Sequence, residues 1–145
     1  MSVFMGIDPG KKGALALLDT ETGGVTCHDM PDTTQGLHDL VAGLPIVTLA
    51  VLEKPFCGPA MGARSVAVMF ENYGVLRGAI QWRDIPFQEE RPSAWKAKMN
   101  LSKDKAASRE KAAQIFPDDA EQFARVKDDG RAEAALLAWL ASGRG

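Results

Sequence analysis

The sequence predicts an α/β fold, a mixed five-stranded sheet with helices on its faces, and three observations carry that prediction. Five short strand-like runs are bounded by turn residues. Helical periodicity begins only after the first three, so the element order reads βββ, α, β, α, β and then helices. The fourth run, Ile46 to Glu53, is apolar enough for a central strand covered on both faces, as in a partly parallel sheet.

Taken in order, Val3 to Asp8 reads as a buried strand ending on a carboxylate, followed by the turn Pro9-Gly-Lys-Lys-Gly13. Ala14 to Asp19 and Val25 to Met30 complete an antiparallel meander across the turn Thr22-Gly-Gly24. Gln35 to Gly43 is a short amphipathic helix, with Leu37, Leu40, Val41 and Leu44 at i, i+3, i+4 and i+7. After Ile46 to Glu53, the loop Lys54 to Pro59 leads into a long helix from about Ala63 to Trp82. Ile85 to Gln88 fits an edge strand, since Pro86 cannot donate to a ladder. Pro92 suits the first position of a helix over Ser93 to Met99. Ser102 is placed to cap a helix running to Phe116, before Pro117. A last helix runs from about Asp129 to Ala141. Neither a linker nor an internal repeat interrupts this order, so residues 1–145 read as one domain.

With 145 residues, 46% of them hydrophobic and 25% charged, the chain is expected to fold around a real core. No apolar run approaches the length of a membrane span, and the strand at Val3 leaves no room for a leader. Cys27 and Cys57 are far apart and lack metal-ligand spacing. A reduced, cytoplasmic protein that is not secreted is the expectation. Neither His28 nor His38 has a ligand-like neighbour.

The net charge of −2 is unevenly distributed. Residues 1–60 carry seven acids against three bases, whereas residues 91–111 carry seven bases against two acids. An acidic pole beside a basic band is what a metal site next to a phosphate track requires, although a charge run is often only a solvated helix face.

Two strands, one ending on Asp8 and the other on Glu53, focus that reading. If the first strand pairs with the fourth, both carboxylates reach the same sheet edge. Asp129 and Glu133 lie four residues apart in the last helix, about 40° around its axis, whereas Asp128 lies about 140° from Glu133. Were that helix to dock at the strand ends, four acids would meet. Clustered carboxylates repel one another unless a cation neutralises them, and hard oxygen ligands select Mg²⁺ or Mn²⁺. Each acid also has a bland explanation: Asp8 as a turn former, Asp129 as a charge facing the helix dipole. Glu53 is harder to dismiss, because an ionisable group closing an apolar run must find a partner.

Several segments together resemble the RuvC-type Holliday-junction resolvases, in particular their short phage-like members. Gly6-Ile-Asp-Pro-Gly10 followed by Gly13-Ala-Leu-Ala resembles the first active-site strand and hairpin. Leu52-Glu-Lys-Pro-Phe56 resembles the second acid, with an aromatic three residues on. Arg91-Pro-Ser-Ala-Trp-Lys96 and Ser102-Lys-Asp-Lys105 resemble the DNA-facing segment, and Lys127 to Ala134 the terminal acidic helix. The motifs fall in the family's order and cover nearly the whole chain.

The resemblance implies a single RuvC-like nuclease domain over residues 1–145 with a ribonuclease H-like fold. It implies a homodimer that resolves four-way DNA junctions by paired nicks, in recombination and repair, within a bacterial or phage-infected cell. Catalysis and metal binding fall to Asp8, Glu53, Asp129 and Glu133, with two Mg²⁺ ions per site and Mn²⁺ as a substitute. One departure is Gly130, which stands where the family often has an acid, so Asp128 is an alternate third ligand. Phe56 becomes a wedge at the junction centre or else a core anchor. Arg91, Lys96, Lys98, Lys103, Lys105 and Arg109 become phosphate contacts, with Lys103, Lys105 and Arg109 loosely on one helical stripe. Either Lys103 or Lys105 can approach the scissile phosphate. Trp95 is expected to be half-buried. Tyr73, Val75, Leu76 and Ala79, with Gly74 and Gly78, would make a close-packed dimer helix, or else pack on the sheet.

Competing functions are a ribonuclease H-type or RNA-processing nuclease, and a non-catalytic junction-binding module. A sugar-kinase or actin-like ATPase needs two such domains, for which the chain is too short.

Overall fold

A computed structural model describes residues 2–144. Strands β1 (Val3–Asp8), β2 (Ala14–Asp19) and β3 (Val25–Asp29) form the meander, and helix α1 (Thr34–Ala42) leads to β4 (Leu49–Glu53). Helix α2 (Ala63–Trp82) is followed by β5 (Phe87–Glu90), α3 (Pro92–Lys98), α4 (Lys105–Ile115) and α5 (Asp129–Ala141). The sheet order is β3-β2-β1-β4-β5, with β1–β4 and β4–β5 parallel and the other pairs antiparallel. The expected mixed sheet is present, with β1 at its centre.

The two-residue alternation of strands assigns the faces. Val3, Met5 and Ile7 of β1, with Ala50 and Leu52 of β4, point toward α1 and α2, where Leu37, Val41, Tyr73, Leu76 and Ile80 are buried. Gly6 and Asp8 take the opposite face with Ala14, Ala16, Val51 and Glu53, and α5 lies across it. Small residues make this second face close-packed. A side chain on Gly6 would collide with the carbonyl oxygen of Ala134 and the amide nitrogen of Ala138. α4 packs behind α5, so α5 is buried on most sides, and Trp95 of α3 joins the same core.

Several boundaries differ from the sequence reading. β4 begins at Leu49 rather than Ile46, whose side chain is exposed. β5 begins at Phe87 rather than Ile85, because its parallel register pairs Ala50 with Phe87 and Glu53 with Glu90. Pro86 precedes it and offers its carbonyl to the Ala50 N–H at 2.9 Å. Asp104, not Ser102, caps α4: its carboxylate accepts from the Ala106 N–H at 3.0 Å, while the Ser102 hydroxyl accepts from the Asp104 N–H. Two 3₁₀ segments, Pro117–Phe123 and Val126–Asp128, occupy the stretch between α4 and α5, to which the sequence reading assigns no element. Cys27 and Cys57 are both free thiols. Among the described residues no helix is long and apolar enough to cross a membrane.

On α2 the residues offered for a dimer helix divide between its two sides. Tyr73 and Leu76 are buried in the protein's own core and Ala79 packs against it, so these three face inward. Val75 is exposed beside Gly74 and Gly78, and a side chain added at either glycine would meet open space.

Candidate active site

Asp8 closes β1 and Glu53 closes β4, neighbouring parallel strands in which Ile7 pairs with Leu52. Both acids therefore end on the same sheet edge and, by alternation, on the same face. α5 covers that face and brings in Glu133 from its second turn. One carboxylate oxygen from each of Asp8, Glu53 and Glu133 lies within 4.8 Å of the other two. Asp129, at the first position of α5, stands outside this group and pairs with Lys105 at 3.4 Å.

The electrostatics of the three acids are those of a site short of positive charge. Burial, then the charges of Glu53 and Glu133, push the Asp8 carboxyl up to about 8. Its Oδ1 accepts a hydrogen bond from the Gly10 N–H at 3.3 Å, which opposes that rise. Burial and then Glu133 also raise Glu53. Two short-range partners soften the repulsion. Lys96 Nζ lies 2.9 Å from Glu133 Oε1, and the indole N–H of Trp95 donates to Glu53 Oε2 at 2.6 Å. The three acids offer hard oxygen donors to one point, the donor set that suits Mg²⁺ or Mn²⁺.

Asp128 has a different job. It is buried, and its carboxylate accepts from the Arg125 backbone N–H at 2.9 Å and from the Arg125 guanidinium, with Arg131 3.9 Å away. Burial disfavours its charge, but the Arg125 bonds and Arg131 more than offset that and hold the carboxyl below its ordinary range. Arg131 also pairs with Asp29 of β3 through two bonds of 2.7 and 2.9 Å, which fastens the start of α5 to the meander. Gly130 lets the same helix end approach the hairpin: a side chain there would strike the Lys12 carbonyl. The glycine thus serves helix–hairpin packing.

The basic band divides as well. Lys96 and Lys105 reach the acids, and Lys98 pairs with Glu90 at 2.6 Å. Arg109 donates to the carbonyls of Phe123 and Ala124. Arg91 and Lys103 are exposed, but Lys103 precedes α4, so the stripe of Lys103, Lys105 and Arg109 is not helical. Phe56 is 71% exposed and is no core anchor. Trp95 is fully buried rather than half-buried. Its bond to Glu53 was not anticipated, yet the signal was present: a buried indole needs an acceptor, and a buried carboxylate needs donors.

No family model matches the sequence, and no curated protein matches it. Solved structures do share its fold. RuvC of Thermus thermophilus in complex with a Holliday junction substrate superposes with a TM-score of 0.68 at 14% identity, covering 99% of this chain and 98% of that one. A second Thermus thermophilus RuvC structure gives 0.66 at 15% identity, over 98% and 97% of the two chains. The yeast mitochondrial Holliday junction resolvase Ydc2 gives 0.50 at 18% identity, over 94% of this chain and 76% of that one. The resemblance read from the motifs therefore extends to the architecture: the chain has the α/β, ribonuclease H-like fold of the RuvC-type resolvases, over nearly its full length.

Proposed function

We propose that the protein is a metal-dependent, structure-specific endodeoxyribonuclease that resolves four-way DNA junctions by paired nicks. The observation that carries this reading is the convergence of Asp8, Glu53 and Glu133 on one point of a resolvase fold. Asp8, Glu53, Glu133 and, from the neighbouring helix start, Asp129 are the residues that would hold two Mg²⁺ ions. Bound there, Mg²⁺ supplies an acidified water to attack phosphorus and a counter-charge for the leaving oxygen. Lys105 is exposed beside Asp129 and is suited to meeting a phosphate, as is Lys103 on the same approach. Phe56 projects from the loop after Glu53 and offers a ring on which a splayed base can stack.

Paired nicks require two sites, and hence a homodimer. The outer side of α2 supports that part of the reading. Val68, Val75 and Trp82, seven residues apart, are exposed on one stripe there, with Gly74 and Gly78 allowing close approach.

The experiment is cleavage of four-way, three-way, flap and duplex DNA with and without Mg²⁺. The expected result is Mg²⁺-dependent symmetric nicking of the four-way substrate in preference to the duplex. Cleavage of an RNA–DNA hybrid alone would favour a ribonuclease H-type activity, and tight junction binding without cleavage a non-catalytic module.

A further inference from the structure

A metal site of three carboxylates works only if each keeps its orientation, and charge repulsion tends to rotate them apart. Glu133 and Asp129 have lysine partners, whose ammonium groups neutralise them and sit on flexible stems. Glu53 is held differently. Its partner is the indole N–H of Trp95, a neutral donor at 2.6 Å. A neutral donor orients a carboxylate without cancelling the charge that a cation needs.

The donor itself is fixed. Trp95 has no exposed surface and packs in the core among Val51, Met99 and the alanines of α5. Its helix starts at Pro92, and the backbone N–H of Trp95 donates to the Arg91 carbonyl at 3.1 Å. The ring has one polar atom and no room to turn it elsewhere. The next residue, Lys96, reaches Glu133. One turn of α3 thus contacts acids from both β4 and α5.

We propose that Trp95 is a positioning residue for Glu53, locking its carboxylate toward Asp8 and Glu133 in the geometry a divalent cation requires. The inference rests on the proposed metal-dependent reading.

The test is Mn²⁺ titration by calorimetry of the full-length protein, Trp95→Phe, and a variant carrying benzothienylalanine at position 95. In the last, sulfur replaces the N–H and the ring shape is kept. Glu53→Gln serves as the control. Mn²⁺ affinity is expected to fall by about tenfold to a hundredfold in both position-95 variants, as for other groups that orient metal ligands. Junction binding in EDTA is expected to stay unchanged, and kcat to fall with KM held. Should Trp95→Phe fail to fold, the benzothienyl variant decides. If that variant is folded and binds Mn²⁺ as the wild type does, Trp95 is only a core residue and the inference is overturned. If the wild type and Glu53→Gln bind Mn²⁺ equally or not at all, the metal reading itself fails and takes the inference with it.

Discussion

Gly6 of β1 and Ala134 of α5 are in backbone contact, with no room for a side chain between them. Two residues after Gly6, on the same strand face, stands Asp8; one residue before Ala134 stands Glu133. The close approach of strand and helix therefore sets the distance between the two acids. Gly6→Ala is expected to push α5 away from the sheet. Overpacking commonly costs about 1–3 kcal/mol, and a clash with backbone should lie at the top of that range or above it. Denaturant unfolding measures the loss, and Mn²⁺ affinity should fall with it. An unchanged midpoint would mean that this contact does not fix the spacing.

Asp8 makes the metal-free protein pH-sensitive in a direction opposite to most acids. Burial and the neighbouring acids push its folded carboxyl up to about 8, whereas an unperturbed Asp titrates at about 4. Between these values the folded state holds a proton that the unfolded chain has released. The stability Asp8 contributes is therefore full at about pH 4 and is lost as pH rises toward about 8. Glu53 shifts in the same direction. Asp29 and Asp128, held low by arginine partners, act the other way and lose their contribution as the solution is acidified. Relative to wild type, Asp8→Asn in EDTA should gain stability steadily across this window. It should also abolish Mg²⁺-dependent cleavage while leaving junction binding intact. Parallel stability curves would remove the evidence for a strained carboxylate.

The adjacent acids Asp128 and Asp129 should respond oppositely to the same change. Asp128 is buried against Arg125 and Arg131, so Asp128→Asn should cost about 1–3 kcal/mol of stability through weakened charged hydrogen bonds. Asp129 is more accessible and, among the described residues, pairs with Lys105 alone, so Asp129→Asn should leave stability nearly unchanged and stop turnover. Thermal melts and single-turnover cleavage separate the two effects. Equal losses of turnover at equal stability would return Asp128 to the list of metal ligands.

Much of this site was legible in the sequence because strand ends and helical angles are local properties. Asp8 and Glu53 each close a strand, and Asp129 and Glu133 share a side of a helix that starts where the pattern placed it. Their meeting depended on β1 pairing with β4, which the long crossover through α1 made reasonable. The roles of Lys96 and Asp128 were not legible, and that of Trp95 only as an indole in need of an acceptor, because each depends on a partner from a different element or on a cap formed only in the folded chain. Charge counting placed Arg109 on a DNA track, but it did not reveal that one of its guanidinium nitrogens donates to the carbonyls of Phe123 and Ala124. The side taken by each α2 residue stayed open for a related reason: an apolar residue on a long helix can face either way, and the sheet decided for Tyr73 and Leu76.

Binding to branched DNA should be strongly salt-dependent. Lys103 and Lys105 are exposed at the approach to α4. Replacing both with Gln should flatten the slope of log K against log salt by the equivalent of two phosphates, about 0.9 each on duplex arms. Electrophoretic or fluorescence titrations across a salt series give the slope. An unchanged slope would place the DNA path away from this segment.

The convergence of Asp8, Glu53 and Glu133 is tested most directly by anomalous diffraction from crystals soaked in Mn²⁺. The prediction is a strong anomalous peak coordinated by oxygens of all three residues, and its loss in Glu53→Gln crystals. Data from fully soaked crystals with no peak among these carboxylates, or with Mn²⁺ bound only elsewhere, would contradict it.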